Sequence, residues 1–209
     1  MKLVIFGSTG STGREVVKQA LEEGHIVTAF ARNPEKLNLH HGNLQILQGD
    51  VMDSSSVEKA MVGQDAVVCV LGAGNNLTST IRSQGTQQII QAMEKSGVKR
   101  FICQSTLGAG DSWENLNFFW KYIMFGFLLR KPFADHQKQE TYVKESSLDW
   151  TIIRPGAFVE GDRTGNYRHG FPGTDKTSKL EISRGDVADF ILKQLTDNTY
   201  LGKTPGLSY

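Results

Sequence analysis

Lys2-Leu3-Val4-Ile5-Phe6-Gly7-Ser8-Thr9-Gly10-Ser11-Thr12-Gly13 is a short apolar run followed at once by three glycines at three-residue spacing. Leu3 to Phe6 has the length and β-branched content of a buried strand, and apolar residues at helical spacing resume from Gly13 to Glu23. The glycines therefore fall on a strand-to-helix turn. There each has a use: Gly7 permits the turn, Gly10 lets backbone approach a pyrophosphate, and Gly13 lets the helix pack close to the strand. Backbone N–H groups of Ser11, Thr12 and Gly13 at the helix start, with the helix dipole, suit phosphate oxygens.

Working outward, further short apolar runs recur at His25–Phe30, Leu44–Gln48, Ala66–Leu71, Phe101–Gln104 and Thr151–Arg154. Helical patterns separate them at Ser55–Val62, Thr80–Ser96 and Asp135–Ser146, with Asp135 expected to cap the last of these. Ser183-Arg184-Gly185-Asp186 reads as a capping box, with Asp in place of Glu, opening a final helix over Val187–Leu195. Alternating strands and helices of this kind predict an α/β fold: a single doubly wound Rossmann-type parallel sheet with helices on both faces. No linker or repeat divides the chain, so residues 1–209 are expected to form one NAD(P)-binding domain.

Lys and Arg number 23 against 22 Asp and Glu, so no overall field recruits nucleic acid or an anionic membrane. The apolar run at the N-terminus is too short for a signal peptide, which points to a cytoplasmic protein. Cys69 and Cys103 lie in apolar strands and read as reduced core residues. His40-His41 sits in a polar loop with no Cys or carboxylate cluster, so no metal is expected.

Two segments break the alternation. Asn117–Leu129 is almost wholly apolar and aromatic, yet shorter than the roughly 18 residues that span a bilayer. It reads as a buried helix, as a wall or lid over an apolar substrate, or as a surface for a membrane or partner. Glu160–Lys179, rich in glycine, reads as a long loop or hairpin near the carboxyl edge of the sheet.

Cofactor choice is set at the end of the second strand, where NAD enzymes place an acid against the ribose 2′-hydroxyl. Here the sequence is Ala29-Phe30-Ala31-Arg32-Asn33-Pro34-Glu35-Lys36, with Arg32 placed to hold a 2′-phosphate and Lys36 adding charge. NADP(H) is the expected cofactor. Asp50 and Val51, after the third strand, are expected to frame adenine, and Leu71-Gly72 to let backbone pass the cofactor.

Several stretches together resemble the NADPH-dependent flavin reductase/biliverdin-IXβ reductase family: Gly7–Gly13, Gly63-Gln64-Asp65-Ala66-Val67, Leu71-Gly72, Asp135-His136, Thr164-Gly165-Asn166-Tyr167 and the tail from Ile182 to Ser208. That family lies among the atypical short-chain dehydrogenases/reductases, with NmrA-like redox sensors and isoflavone-reductase-like enzymes. The glycine loop is common to all of them. The resemblance implies cofactor contacts at Gly7, Thr9, Gly10, Thr12, Arg32, Asp50, Val51, Leu71, Gly72 and Ser105, with Pro155 alongside. It also implies an active-site role for Ser105 and a site-forming one for His136. The chain departs from the family at Gly74, where an Arg is usual, and at Ala157, where a His is usual.

The usual short-chain dehydrogenase pair, a Tyr followed four residues later by Lys, is absent, since Tyr122 is followed by Gly126 and Tyr142 by Ser146. Hydride transfer to a conjugated acceptor needs no tyrosine acid, because the acceptor delocalises the incoming charge. Trp113, Phe118, Trp120 and Phe158 offer a stacking surface for such a substrate. The expected protein is an NADPH-dependent reductase of flavin (FMN or FAD), biliverdin or a related small molecule, as a monomer or weak homodimer. A second reading is a non-catalytic NADP(H)-sensing or assembly protein of the NmrA-like kind.

Overall fold

The computed structural model describes residues 1–209. Its strands are β1 (Lys2–Phe6), β2 (Ile26–Ala31), β3 (Leu44–Gln48), β4 (Ala66–Cys69), β5 (Arg100–Gln104), β6 (Asp149–Pro155), β7 (Ala157–Val159), β8 (Arg168–His169), β9 (Glu181–Ser183) and β10 (Gly206–Ser208). Its α-helices are α1 (Ser11–Glu22), α2 (Ser54–Ala60), α3 (Ile81–Ser96), α4 (Arg130–Glu145) and α5 (Arg184–Lys193). The main sheet runs β3-β2-β1-β4-β5-β6-β10-β8. Every pair from β3 to β10 is parallel, and β8 adds an antiparallel edge. β7 and β9 form a separate parallel pair.

The α/β architecture is the one the alternation predicts, and strand periodicity explains its two cores. On β1, Leu3 and Ile5 point to the face covered by α1 and α5, while Val4 and Phe6 point to the face covered by α2, α3 and α4. Ala66 and Val68 on β4, and Ile102 on β5, join the first core; Val67, Cys69, Phe101 and Cys103 join the second. Cys69 and Cys103 are register neighbours, both buried and unbridged. No helix is long and apolar enough to cross a membrane.

Three local expectations are corrected. Helix α4 begins at Arg130, so Asp135 lies inside it; its carboxylate instead accepts from the backbone N–H of Arg82 (3.2 Å) and Ser83 (3.1 Å), capping α3. Ser183 does cap α5, accepting from the Asp186 N–H at 3.1 Å. Asp186, however, does not reach back to complete the box. It accepts from the N–H groups of Thr164 (2.7 Å) and Gly165 (2.8 Å) and from the Tyr209 hydroxyl, fixing the 160–179 segment that supplies β8.

The third concerns Phe119–Leu128, which is wound as a π-helix whose last turn closes from Leu129 N–H to the Met124 carbonyl. Only Phe125 in it is buried, so the buried-helix reading fails. Phe118 (70% exposed) and Phe127 (78%) face water, while Trp120, Phe125 and Leu129 turn inward onto Leu107, Leu116 and Phe133.

Candidate functional site

The carboxyl ends of the parallel strands open into a cleft of about 470 Å³. Its floor is the glycine loop. Gly7 has φ +86°, and a Cβ there would lie 2.4 Å from the Val70 carbonyl oxygen; a Cβ on Gly13 would lie 2.1 Å from the Gly7 carbonyl oxygen. Neither position accepts a side chain, so α1 packs hard against β1 and its first turn faces the cleft. Gly10, the residue before α1, supplies no side-chain cap, which leaves the N–H groups of that turn to an outside acceptor.

Thr9, Gly10, Ser11 and Thr12 line this end with Arg32 and Lys36. Ser8, fully buried, donates from Oγ to the Phe30 carbonyl at 2.9 Å and so ties the loop to the end of β2 that carries Arg32. Arg14 does the same for Lys36, donating to the carbonyls of Thr9 (3.2 Å) and Lys36. Val51, Leu71, Gly72 and Gly74 form the adjoining wall. Asp50 is not on that wall: its carboxylate accepts from the Met52 N–H at 2.9 Å, closing its own turn. Gly13 stays beneath the cleft as a packing residue.

At the other end Ser105, His136, Pro155 and Phe158 come together with Arg82, Gln104 and Thr106. Ser105 is 2% exposed, and neither its Oγ nor the Gln104 Oε1 has a partner. Buried polar atoms without partners in a cleft wall are places for a ligand to bond. The His136 Nδ1 lies 3.3 Å from the Gln139 Oε1, whose amide donates onward to the Thr86 Oγ at 2.9 Å. That order makes Nδ1 the protonated nitrogen and leaves Nε2 an acceptor. Burial, and then the neighbouring Arg82, push the imidazole pKa down from 6.5 to about 3, so the ring is neutral at pH 7.

An apolar chamber of about 150 Å³ adjoins this end and shares Thr106, Pro155, Gly156 and Phe158 with the cleft. Trp120, Phe125 and Leu129 of the π-helical segment close it. The Arg184 guanidinium stacks 4.9 Å over Phe158 and steadies that wall. Of the four aromatics read as a stacking surface, only Trp120 and Phe158 lie here. Trp113 packs on Phe133 (5.6 Å) in another depression, and Phe118 packs on Tyr122 (4.9 Å) at the surface.

Sequence reasoning missed Arg82 and Gln104, and also Arg154, which is fully buried and pairs with Glu140 and Asp111 beneath the site. Arg82 did leave a signal. A cation in the first turn of a helix opposes the dipole and calls for a compensating partner.

Among known proteins, the chain is 30% identical over 207 residues to an uncharacterized chloroplastic protein of Arabidopsis thaliana, covering 93% of this chain and 71% of that one. An oxidoreductase of Lactococcus lactis superposes with a TM-score of 0.85 at 28% identity, over all of this chain and 90% of the other. An anaerobillin reductase of Escherichia coli shares the fold, with a TM-score of 0.78 at 23% identity over 100% of this chain and 97% of the other. The model of the NAD(P)H-binding family matches residues 7–198, a span from the first glycine of the loop to beyond α5, and the chain belongs to that family.

Proposed function

We propose that this protein is an NADPH-dependent reductase that passes hydride to a planar conjugated acceptor, a flavin or a linear tetrapyrrole. The observation that carries the reading is the joining of two unlike spaces. A polar cleft has Arg32 and Lys36 at one end, and an apolar chamber walled by Trp120, Phe125 and Phe158 opens from the other. A dinucleotide laid along the strand ends would put its 2′-phosphate by Arg32 and its nicotinamide by Ser105, at the mouth of the chamber.

The bound dinucleotide supplies the hydride. The chain binds its phosphates at the α1 N-terminus and orients the amide or acceptor through Ser105 Oγ and Gln104 Oε1. The π-helical segment gives the chamber an apolar wall. No tyrosine with a paired lysine stands by to protonate a simple ketone, and His136 is neutral, which favours an acceptor that spreads the incoming charge over its own ring system. The E. coli anaerobillin reductase supports the reading in that the same fold serves a reductase there. A turnover screen of the purified protein with NADPH against FMN, FAD, biliverdin and a simple quinone tests it.

The sensor or assembly reading draws on one observation, the exposed Phe118, Tyr122 and Phe127 on the outer side of the π-helical segment. It requires NADPH to bind without being oxidised by any acceptor in that screen.

A further inference from the structure

The residues lining the cleft include three cations, Arg32, Lys36 and Arg82, and no carboxylate. Arg32 and Lys36 stand together at the β2 end and are exposed. Arg82 stands apart, at the start of α3 on the wall it forms with Ser105 and His136, and its side chain is only 15% exposed. Its Nη1 is buried and has no hydrogen-bond partner.

Its one carboxylate partner is Asp135, an ion pair at 3.8 Å from Nη1 that is too long for a hydrogen bond. Both Asp135 oxygens already accept the backbone N–H groups of Arg82 and Ser83. His136, neutral and with Nε2 as an acceptor, supplies no negative charge. A guanidinium keeps its proton, so a buried one without a full partner set favours an incoming oxyanion. The dinucleotide's phosphates have groups of their own elsewhere, in the first turn of α1 and in Arg32.

We propose that Arg82 is the anion anchor of the acceptor site, and that the natural acceptor carries a carboxylate or phosphate that bonds to its guanidinium while its conjugated part enters the chamber beside Phe158. The word acceptor rests on the reductase reading; the anion site does not. Ser105 Oγ, also buried without a partner, provides a donor to the same ligand.

FMN and riboflavin make a matched pair of probes, with one ring system and a phosphate on FMN alone. Their equilibrium binding to protein saturated with NADP⁺ is measured by flavin fluorescence for wild type, Arg82→Gln and Arg82→Lys, and NADP⁺ itself is titrated on each. The wild type is expected to prefer FMN by about tenfold or more, Arg82→Gln to lose that preference, and Arg82→Lys to keep part of it. Equal binding of the two flavins by wild type, or a preference that survives Arg82→Gln, overturns the proposal. So does a matching loss of NADP⁺ affinity, which would assign Arg82 to the cofactor's diphosphate. FMN that binds through Arg82 but is never reduced leaves the anion site standing and removes the reductase reading.

Discussion

Glu140 of α4 grips Arg154 of β6 by accepting two hydrogen bonds, from Nε at 2.8 Å and from Nη2 at 2.6 Å, with both side chains almost wholly buried. The pair fixes the helix carrying His136 to the strand that leads into Pro155. Burial disfavours the Glu140 carboxylate, but bonds from Arg154 and Lys144 outweigh it and hold its pKa below the usual range. Glu140→Ala leaves a guanidinium buried without its main partner and is expected to cost about 3–5 kcal/mol. Urea unfolding at pH 7 measures it. A cost below about 1 kcal/mol would mean that water reaches Arg154.

Arg32 stands on the open rim of the cleft with no carboxylate partner. On the proposed reading it selects NADPH over NADH. Arg32→Ala is expected to weaken NADPH by about ten- to hundred-fold and to leave NADH nearly unchanged, since only NADPH carries the 2′-phosphate. Calorimetric titration of both cofactors decides this, and an unchanged ratio would remove Arg32 from cofactor choice.

Trp120 and Phe118 are two residues apart but face opposite ways, one into the chamber and one into water. Trp120→Ala is therefore expected to raise the KM for flavin about three- to tenfold, and Phe118→Ala to leave it within about twofold. Equal effects would show that the chamber is not where the flavin binds.

His136 is expected to make folding stability depend on pH. Its folded pKa is depressed to about 3 from 6.5, so as pH falls below 6.5 the unfolded chain takes up a proton that the folded chain refuses. Stability declines as pH falls through that window, by up to about 1.4 kcal/mol per pH unit from this group. Urea midpoints at pH 7, 6 and 5 for wild type and His136→Gln test the sign. The variant should lose less than wild type, and parallel curves would contradict a neutral imidazole in the cleft wall.

The glycine loop was legible because strand, turn and helix are consecutive, the positive φ of Gly7 belongs to the turn itself, and the steric demand on Gly13 comes from the Gly7 and Ser8 backbone; the Val70 carbonyl that also crowds Gly7 lies across the sheet and was not legible. That helices cover both faces of the sheet was legible from the alternation of apolar runs and helical patterns along the chain. Asp135 was misread because it caps a helix more than fifty residues away, a relation that spacing along the chain does not carry. The π-helical segment was open to several readings because an apolar run has the same letters whether it is buried or exposed; packing by Leu107, Leu116 and Phe133 on one side decides it. Arg82 was missed because its burial against Asp135 of α4 is a contact between residues more than fifty positions apart.

The most direct test of the central claim is a single turnover. Protein in excess over NADPH is mixed with FMN in a stopped-flow instrument, and absorbance is followed at the reduced nicotinamide band and the flavin band together. The two-space site predicts that both bands decay in one phase, faster than the buffer reaction, with Trp120→Ala slower than wild type at subsaturating FMN. NADPH that binds but decays no faster than in buffer with FMN, and likewise with FAD and biliverdin, would contradict the reductase and leave the nucleotide-sensing reading.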